Sequence, residues 1–162
     1  MIKQIKALAL VFVLAVVAPC FAAGDLNIGT WKLDEAKSRI PAGARKDLTV
    51  VYRMTGDNVK VTVDGVDSHG KPIHTEWTGK YDAQDYPITG DPDSNTRSYA
   101  RISDHTLDLN ETERGRVTRV ARIDISPDGK TLTVMTTELE GGTRIKGTTL
   151  QYYEKQYGRT LA

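Results

Sequence analysis

The chain has 162 residues, with 22 Lys and Arg set against 21 Asp and Glu, three His and a single Cys. A formal charge of +1 leaves no basic surplus for nucleic acid or for electrostatic docking on an anionic membrane surface. One cysteine excludes a disulfide framework, and the length suits one domain rather than two.

At the start, Lys3 and Lys6 precede an unbroken apolar run of 12 residues, Ala7 to Ala18, which Pro19 ends ahead of "CFAAG". This layout predicts a secretory signal peptide over residues 1–22, with a mature domain over 23–162 that is exported to the periplasm or released from the cell. The run is shorter than the ~20 residues a helix needs to cross a bilayer, and nothing later resembles a membrane span. "VAPC" also reads as a lipoprotein box that would anchor the chain through Cys20, but Pro19 directly before the cysteine argues against it. Removing the leader takes away two lysines, so the charge becomes 20 − 21 = −1.

The mature chain opens with "NIGTWKLDEAKS", a short first strand around Trp31 followed by a single helical turn. After Lys46 come short β-rich runs separated by "TGDN", "DSHGK", "DAQD", "SDH", "ERGR", "SPDGK" and "EGG", all rich in residues that tolerate left-handed dihedrals or preset a turn. Between turns the pattern has period two. Val59, Val61 and Val63 oppose Lys60, Thr62 and Asp64; Ile73, Thr75, Trp77, Gly79 and Tyr81 oppose His74, Glu76, Thr78 and Lys80; Leu107 and Leu109 oppose Thr106, Asp108 and Asn110. One face of each strand is thus predicted buried and the other wet. Consecutive hairpins of this kind leave two open edges unless the sheet closes, so the expectation is an all-β, antiparallel up-and-down barrel of about 8–10 strands in a single domain. The two long connections, 35–46 and 83–95, are candidate covers for a barrel mouth.

A first strand with Gly29 and Trp31 followed by such a meander resembles the calycins, the lipocalins and fatty-acid-binding proteins, and in particular exported bacterial lipocalin-like proteins with stretches like "VKVTVDGVDSHGKP", "YPITGDP" and "SPDGKTLTV". The resemblance implies that Gly29 and Trp31 form a structural plug at one barrel end. It also implies a ligand-gripping pair on the last strand "TTLQYYEKQ", where fatty-acid-binding proteins carry R-x-Y. Here Gln151 and Tyr153 take those places, and a glutamine hydrogen-bonds but cannot neutralise a carboxylate. The helical lid of that branch is missing, because "DEAKSRIPAGARK" is too short for a helix-turn-helix.

Chemistry is sparse otherwise. His69, His74 and His105 are scattered, and "DPDSN" lacks the glycine and bidentate glutamate of a calcium loop, so no metal site is expected. No nucleophile elbow or phosphate-binding glycine loop occurs, and nothing implies a cofactor. Arginines gather in the second half. On the strand 117–125 Arg119 shares a face with Val117, Ala121 and Ile123, which predicts a buried cation needing a carboxylate or a ligand anion, unless the register turns it outward. Arg97, Arg101, Arg114, Arg116, Arg122 and Arg144 are expected on a charged outer face, opposite Asp108, Glu111, Glu138 and Glu140.

The two phenylalanines, Phe12 and Phe21, both lie in the leader, and inward positions carry Thr, Gly and Gln among Val and Leu. Such limited bulk predicts a cavity of mixed polarity, lined by Val61, Val63, Trp77, Tyr81, Val134, Gln151 and Tyr153, with Arg119 as anchor for a small amphipathic partner. Two rivals follow: a filled barrel acting through its surface, favoured if the interior holds less than about 300 Å³, and an enzyme, favoured by an inward Asp or Glu with a shifted pKa beside Arg119.

Overall fold

A computed structural model describes residues 25–157, so the leader and Cys20 lie outside the described residues. Ten strands follow in chain order: β1 (Gly29–Leu33), β2 (Lys46–Thr55), β3 (Asn58–Val66), β4 (Pro72–Gly79), β5 (Tyr86–Thr89), β6 (Thr96–Arg101), β7 (Thr106–Glu113), β8 (Arg116–Ile125), β9 (Thr131–Glu140) and β10 (Arg144–Gln156). Each pairs antiparallel with its sequence neighbour, and β1 pairs with β10, placing Trp31 opposite Lys155. The sheet is therefore a closed up-and-down barrel, and closure satisfies the edges that a meander would otherwise expose.

The period-two pattern sets the interior. Val59, Val61, Val63, Thr75, Trp77, Leu107 and Leu109 are all buried, as their alternation with polar neighbours requires. The segment 83–95, expected as an open connection, contains β5. This strand is held by only two residue pairs to β4 and two to β6, the thinnest part of the wall.

Three bulges break the alternation. Pairing shifts between Asp47 and Thr49 on β2, between Glu111 and Thr112 on β7 where β8 passes from Arg119 to Val117, and between Ile145 and Gly147 on β10. A bulge puts two residues opposite one and so reverses which face follows. Because of the first, Asp47 and Val50, an odd distance apart, both line the interior. Gly65 makes room for it: a Cβ there would lie 2.2 Å from the Lys46 carbonyl oxygen. The second separates Arg119, Ala121 and Ile123, which are buried, from Val117, which is only half-buried. The expectation that all four share one face is corrected to that extent.

The two barrel ends close differently. At one, Trp31 is fully buried, its indole N–H donates to the Asn27 carbonyl at 2.7 Å, and the Asn27 side-chain amide donates to the Tyr81 hydroxyl. At the other, the mouth, the β1–β2 connection meets the β5–β6 connection: Arg45 Nη1 donates to Asp91 Oδ2 at 2.6 Å.

Candidate functional site: a buried ion network beside the barrel cavity

The interior holds one central cavity of about 40 Å³. Its apolar wall comes from Val50, Val63, Leu109, Ile123 and Val134, and its polar wall from Arg97, Glu111, Arg119 and the hydroxyl-bearing Tyr52, Tyr99 and Tyr153. The mixed polarity is as the sequence led us to expect; the size is not. Such a volume holds a few water molecules, against roughly 300–1,000 Å³ for ligand pockets. The missing phenylalanines are replaced by a cluster around Tyr99, whose ring meets Trp77 at 4.7 Å, Tyr81 at 5.7 Å and Tyr52 at 6.5 Å between centroids, all edge-to-face.

Of the residues expected around the cavity, Val63, Val134, Arg119 and Tyr153 form part of its wall. Val61, Trp77, Tyr81 and Gln151 stand outside it. Trp77 packs between Tyr86 and Tyr99 and donates its indole N–H to the Arg97 carbonyl at 2.7 Å. Tyr81 belongs to the plugged end. Gln151 is buried and its Oε1 accepts from the Asp47 backbone N–H at 3.0 Å and from the Tyr153 hydroxyl at 3.1 Å.

The polar wall corrects the expected outer face. Arg97 and Glu111 are 2% and 1% exposed, not on the surface, and Arg119 beside them is 8% exposed. Both oxygens of Glu111 are engaged: Oε1 accepts from Arg97 Nε at 2.7 Å, and Oε2 from Arg119 Nη1 at 2.7 Å. Register explains the convergence, since Glu111 stands opposite Arg97 on one side and Arg119 on the other. Deeper into the mouth connections, Arg45 Nε donates to Asp47 Oδ1 at 2.7 Å, and Arg119 lies 4.0 Å from Asp91 and 3.8 Å from Glu138.

A signal for this was present. Leu107 and Leu109 read inward, so period two carries Glu111 inward as well.

Burial would raise the Glu111 carboxyl, but Arg119, Arg97 and Arg45 together hold it down at about 2. Desolvation opposes charge on Arg45 and Arg97, yet their carboxylate partners keep both firmly protonated. Burial pushes the hydroxyls of Tyr52, Tyr99 and Tyr153 upward, so they remain neutral donors at physiological pH. Two buried side-chain atoms lack hydrogen-bond partners among the described residues, Arg45 Nη2 and Thr75 Oγ1.

Arg119 also separates two spaces. It lines the central cavity and a hollow of about 160 Å³ at the mouth, shared with Asp93, Thr118, Glu138, Leu139 and Lys146.

The chain matches no protein-family model and no curated protein. Among solved structures it is similar to a Schistosoma mansoni fatty acid binding protein in complex with arachidonic acid, with a TM-score of 0.55 and 16% identity over 82% of this chain and 97% of that one. A redesigned β-barrel bound to DFHBI aligns over 81% of this chain and 95% of its own, at 14% identity and a TM-score of 0.41. The likeness to the fatty acid binding protein is one of fold: a closed antiparallel β-barrel.

Proposed function

We propose that the protein is an exported binding protein that takes up a small amphipathic molecule inside its barrel. The observation that carries this reading is the central cavity itself, whose lining combines apolar side chains with charged and hydroxyl-bearing ones. An amphipathic molecule presents the same combination, and a few convergent polar groups in an apolar pocket fix its orientation. Occupancy requires the cavity to swell from about 40 Å³. The thin β5 pairing and the mouth connections are where the wall gives way at least cost. Gln151, Trp77 and Tyr81, a step behind the present wall, become contacts as it opens.

The test is native mass spectrometry of the protein isolated from its host's envelope. A stoichiometric compound that is lost on denaturation is the expected result. A clean apo mass, with no thermal stabilisation by a panel of amphipathic alcohols, amides and acids, overturns the reading. Export is tested separately, by cell fractionation with and without residues 1–22.

The small volume of the cavity favours a second reading, a filled barrel that works through its surface. The outer face of β7, β8 and β9 carries a hollow of about 390 Å³ lined in part by Val120, Arg122 and the exposed Met135. Catalysis has less support. An inward carboxylate does stand beside Arg119, but at about 2 it stays ionised far below neutrality, too weak a base to take a proton there.

A further inference from the structure

The polar wall of the cavity has an unusual charge balance. Buried Arg45, Arg97 and Arg119 face Asp47, Asp91, Glu111 and the partly exposed Glu138, all within one connected set of ion pairs, so the sum is 3 − 4 = −1. Glu111 lies at its centre, with each carboxylate oxygen held by a different guanidinium. We propose that Glu111 is a built-in occupant of the barrel's anion seat, so that the interior accepts neutral amphipathic molecules and rejects carboxylates. This deepens the binding reading and rests on it.

The physical reason is the cost of desolvating an unpaired charge. Two arginines converging on one point in a low-dielectric interior form a site for a carboxylate. Here that point is filled by the chain's own side chain, on a strand whose register fixes it there. An incoming carboxylate would meet a network with no positive surplus and would lie beside Glu111, where like charges disfavour each other. Gln151 adds hydrogen bonding without charge. What the wall still offers is hydroxyl groups held neutral by burial, those of Tyr52 and Tyr99 and the acceptor oxygen of Tyr153, whose proton goes to Gln151. Hydroxyls that both donate and accept suit an alcohol, ketone or amide head group.

The experiment compares decan-1-ol with decanoate at neutral pH, on protein purified from cells expressing the full chain. Binding is followed by thermal shift and by tryptophan fluorescence, to which Trp77 contributes from its place on Tyr99 at the cavity wall. In the wild type, decanol is expected to bind and decanoate to be weaker by about tenfold or more. Glu111→Gln removes the carboxylate that Arg97 and Arg119 share and leaves both free to grip another, and decanoate affinity is expected to rise by at least about tenfold. The double variant Glu111→Gln with Arg119→Gln takes away one of the two guanidiniums that would grip the carboxylate and is expected to lose that gain.

Wild type that binds decanoate as well as decanol overturns the proposal, as does Glu111→Gln without a gain. If the wild type binds neither probe while Glu111→Gln takes up decanoate, the anion seat stands and the binding reading of the natural protein falls. If Glu111→Gln fails to fold alone, recovery on refolding with decanoate but not decanol supports the seat, and no recovery with decanoate overturns it.

Discussion

Arg119 and Glu111 meet inside the barrel, Nη1 to Oε2 at 2.7 Å, on adjacent strands that place them directly opposite each other. With Arg97 on the other oxygen, the pair forms a buried triad in which each member depends on the rest. Replacing Glu111 by Leu leaves two buried guanidiniums without their shared counter-charge, a loss expected at about 3–5 kcal/mol. Arg122 and Asp108 make a two-bond pair of good geometry, at 2.9 and 3.1 Å, but on the wet face. Arg122→Ala should therefore cost below about 1 kcal/mol. Urea denaturation of both variants checks the contrast, and equal losses would contradict the buried assignment.

The same carboxylate gives stability a dependence on acid. Glu111 ionises at about 2 in the folded barrel and, once exposed by unfolding, near the ordinary 4.5. A depressed folded value means the unfolded state binds the proton first as pH falls. The contribution is complete above about pH 5, and is lost progressively down to about 2, to an extent on the order of a few kcal/mol. Exposed acids such as Asp67 and Asp128, also lowered, slope the same way. The difference between wild type and Glu111→Gln isolates the Glu111 share. Parallel stability curves for the two proteins between pH 5 and about 2 would count against it.

Much of the barrel is legible in the sequence. Alternation in β3, β4 and the first half of β7 is uninterrupted, so Val61, Trp77 and Leu109 face inward as expected. The triad was harder to see, because Arg97 and Glu111 are residue types that usually lie outside. Alternation turns both inward, Glu111 with Leu109 and Arg97 with Tyr99, but that they meet follows from cross-strand register, which a single strand's pattern does not contain. Bulges were harder still. Skipping Leu48 in the ladder moves Asp47 inward and skipping Thr118 takes Val117 off the face of Arg119, and the sequence marks neither place except by Gly65 across from Asp47. The cavity is smaller than the lack of phenylalanine suggests because Tyr52, Tyr99 and Tyr153 together occupy the space.

Trp31 closes the end of the barrel opposite the triad. It is fully buried, donates to the Asn27 carbonyl, and has the Lys155 ammonium 5.0 Å above its ring. Trp31→Phe keeps most of the packing and orphans one buried acceptor, at an expected cost of about 1–3 kcal/mol. Trp31→Ala opens a cavity as well and is expected to cost about 3–5 kcal/mol. With only two tryptophans in the chain, either variant leaves Trp77 as the sole indole reporter for the unfolding measurement. A Phe variant as damaging as the Ala variant would mean that the hydrogen bond, not the packing, closes this end.

At the mouth, Arg45 and Asp91 tie two connections that share no ladder. Asp91 is also the hinge of its own turn, Oδ1 accepting from the Asp93 backbone N–H at 2.9 Å. Asp91→Asn is nearly isosteric and can keep that turn, so its effect falls on the ion pair. Arg45 would retain Asp47 at 2.7 Å and lose the contact that reaches across the mouth, at an expected cost of about 1.5–3 kcal/mol. Because the tie is local, the loss should be local too. Amide hydrogen exchange over residues 35–45 and 90–95 is expected to accelerate, while the paired amides of β3 and β8 keep their protection. If molecules reach the interior through this mouth, decan-1-ol should also bind Asp91→Asn faster than it binds wild type, with the triad of Arg97, Glu111 and Arg119 still intact. Exchange that rises uniformly around the barrel would show instead that Arg45 and Asp91 support the global fold and do not gate one end of it.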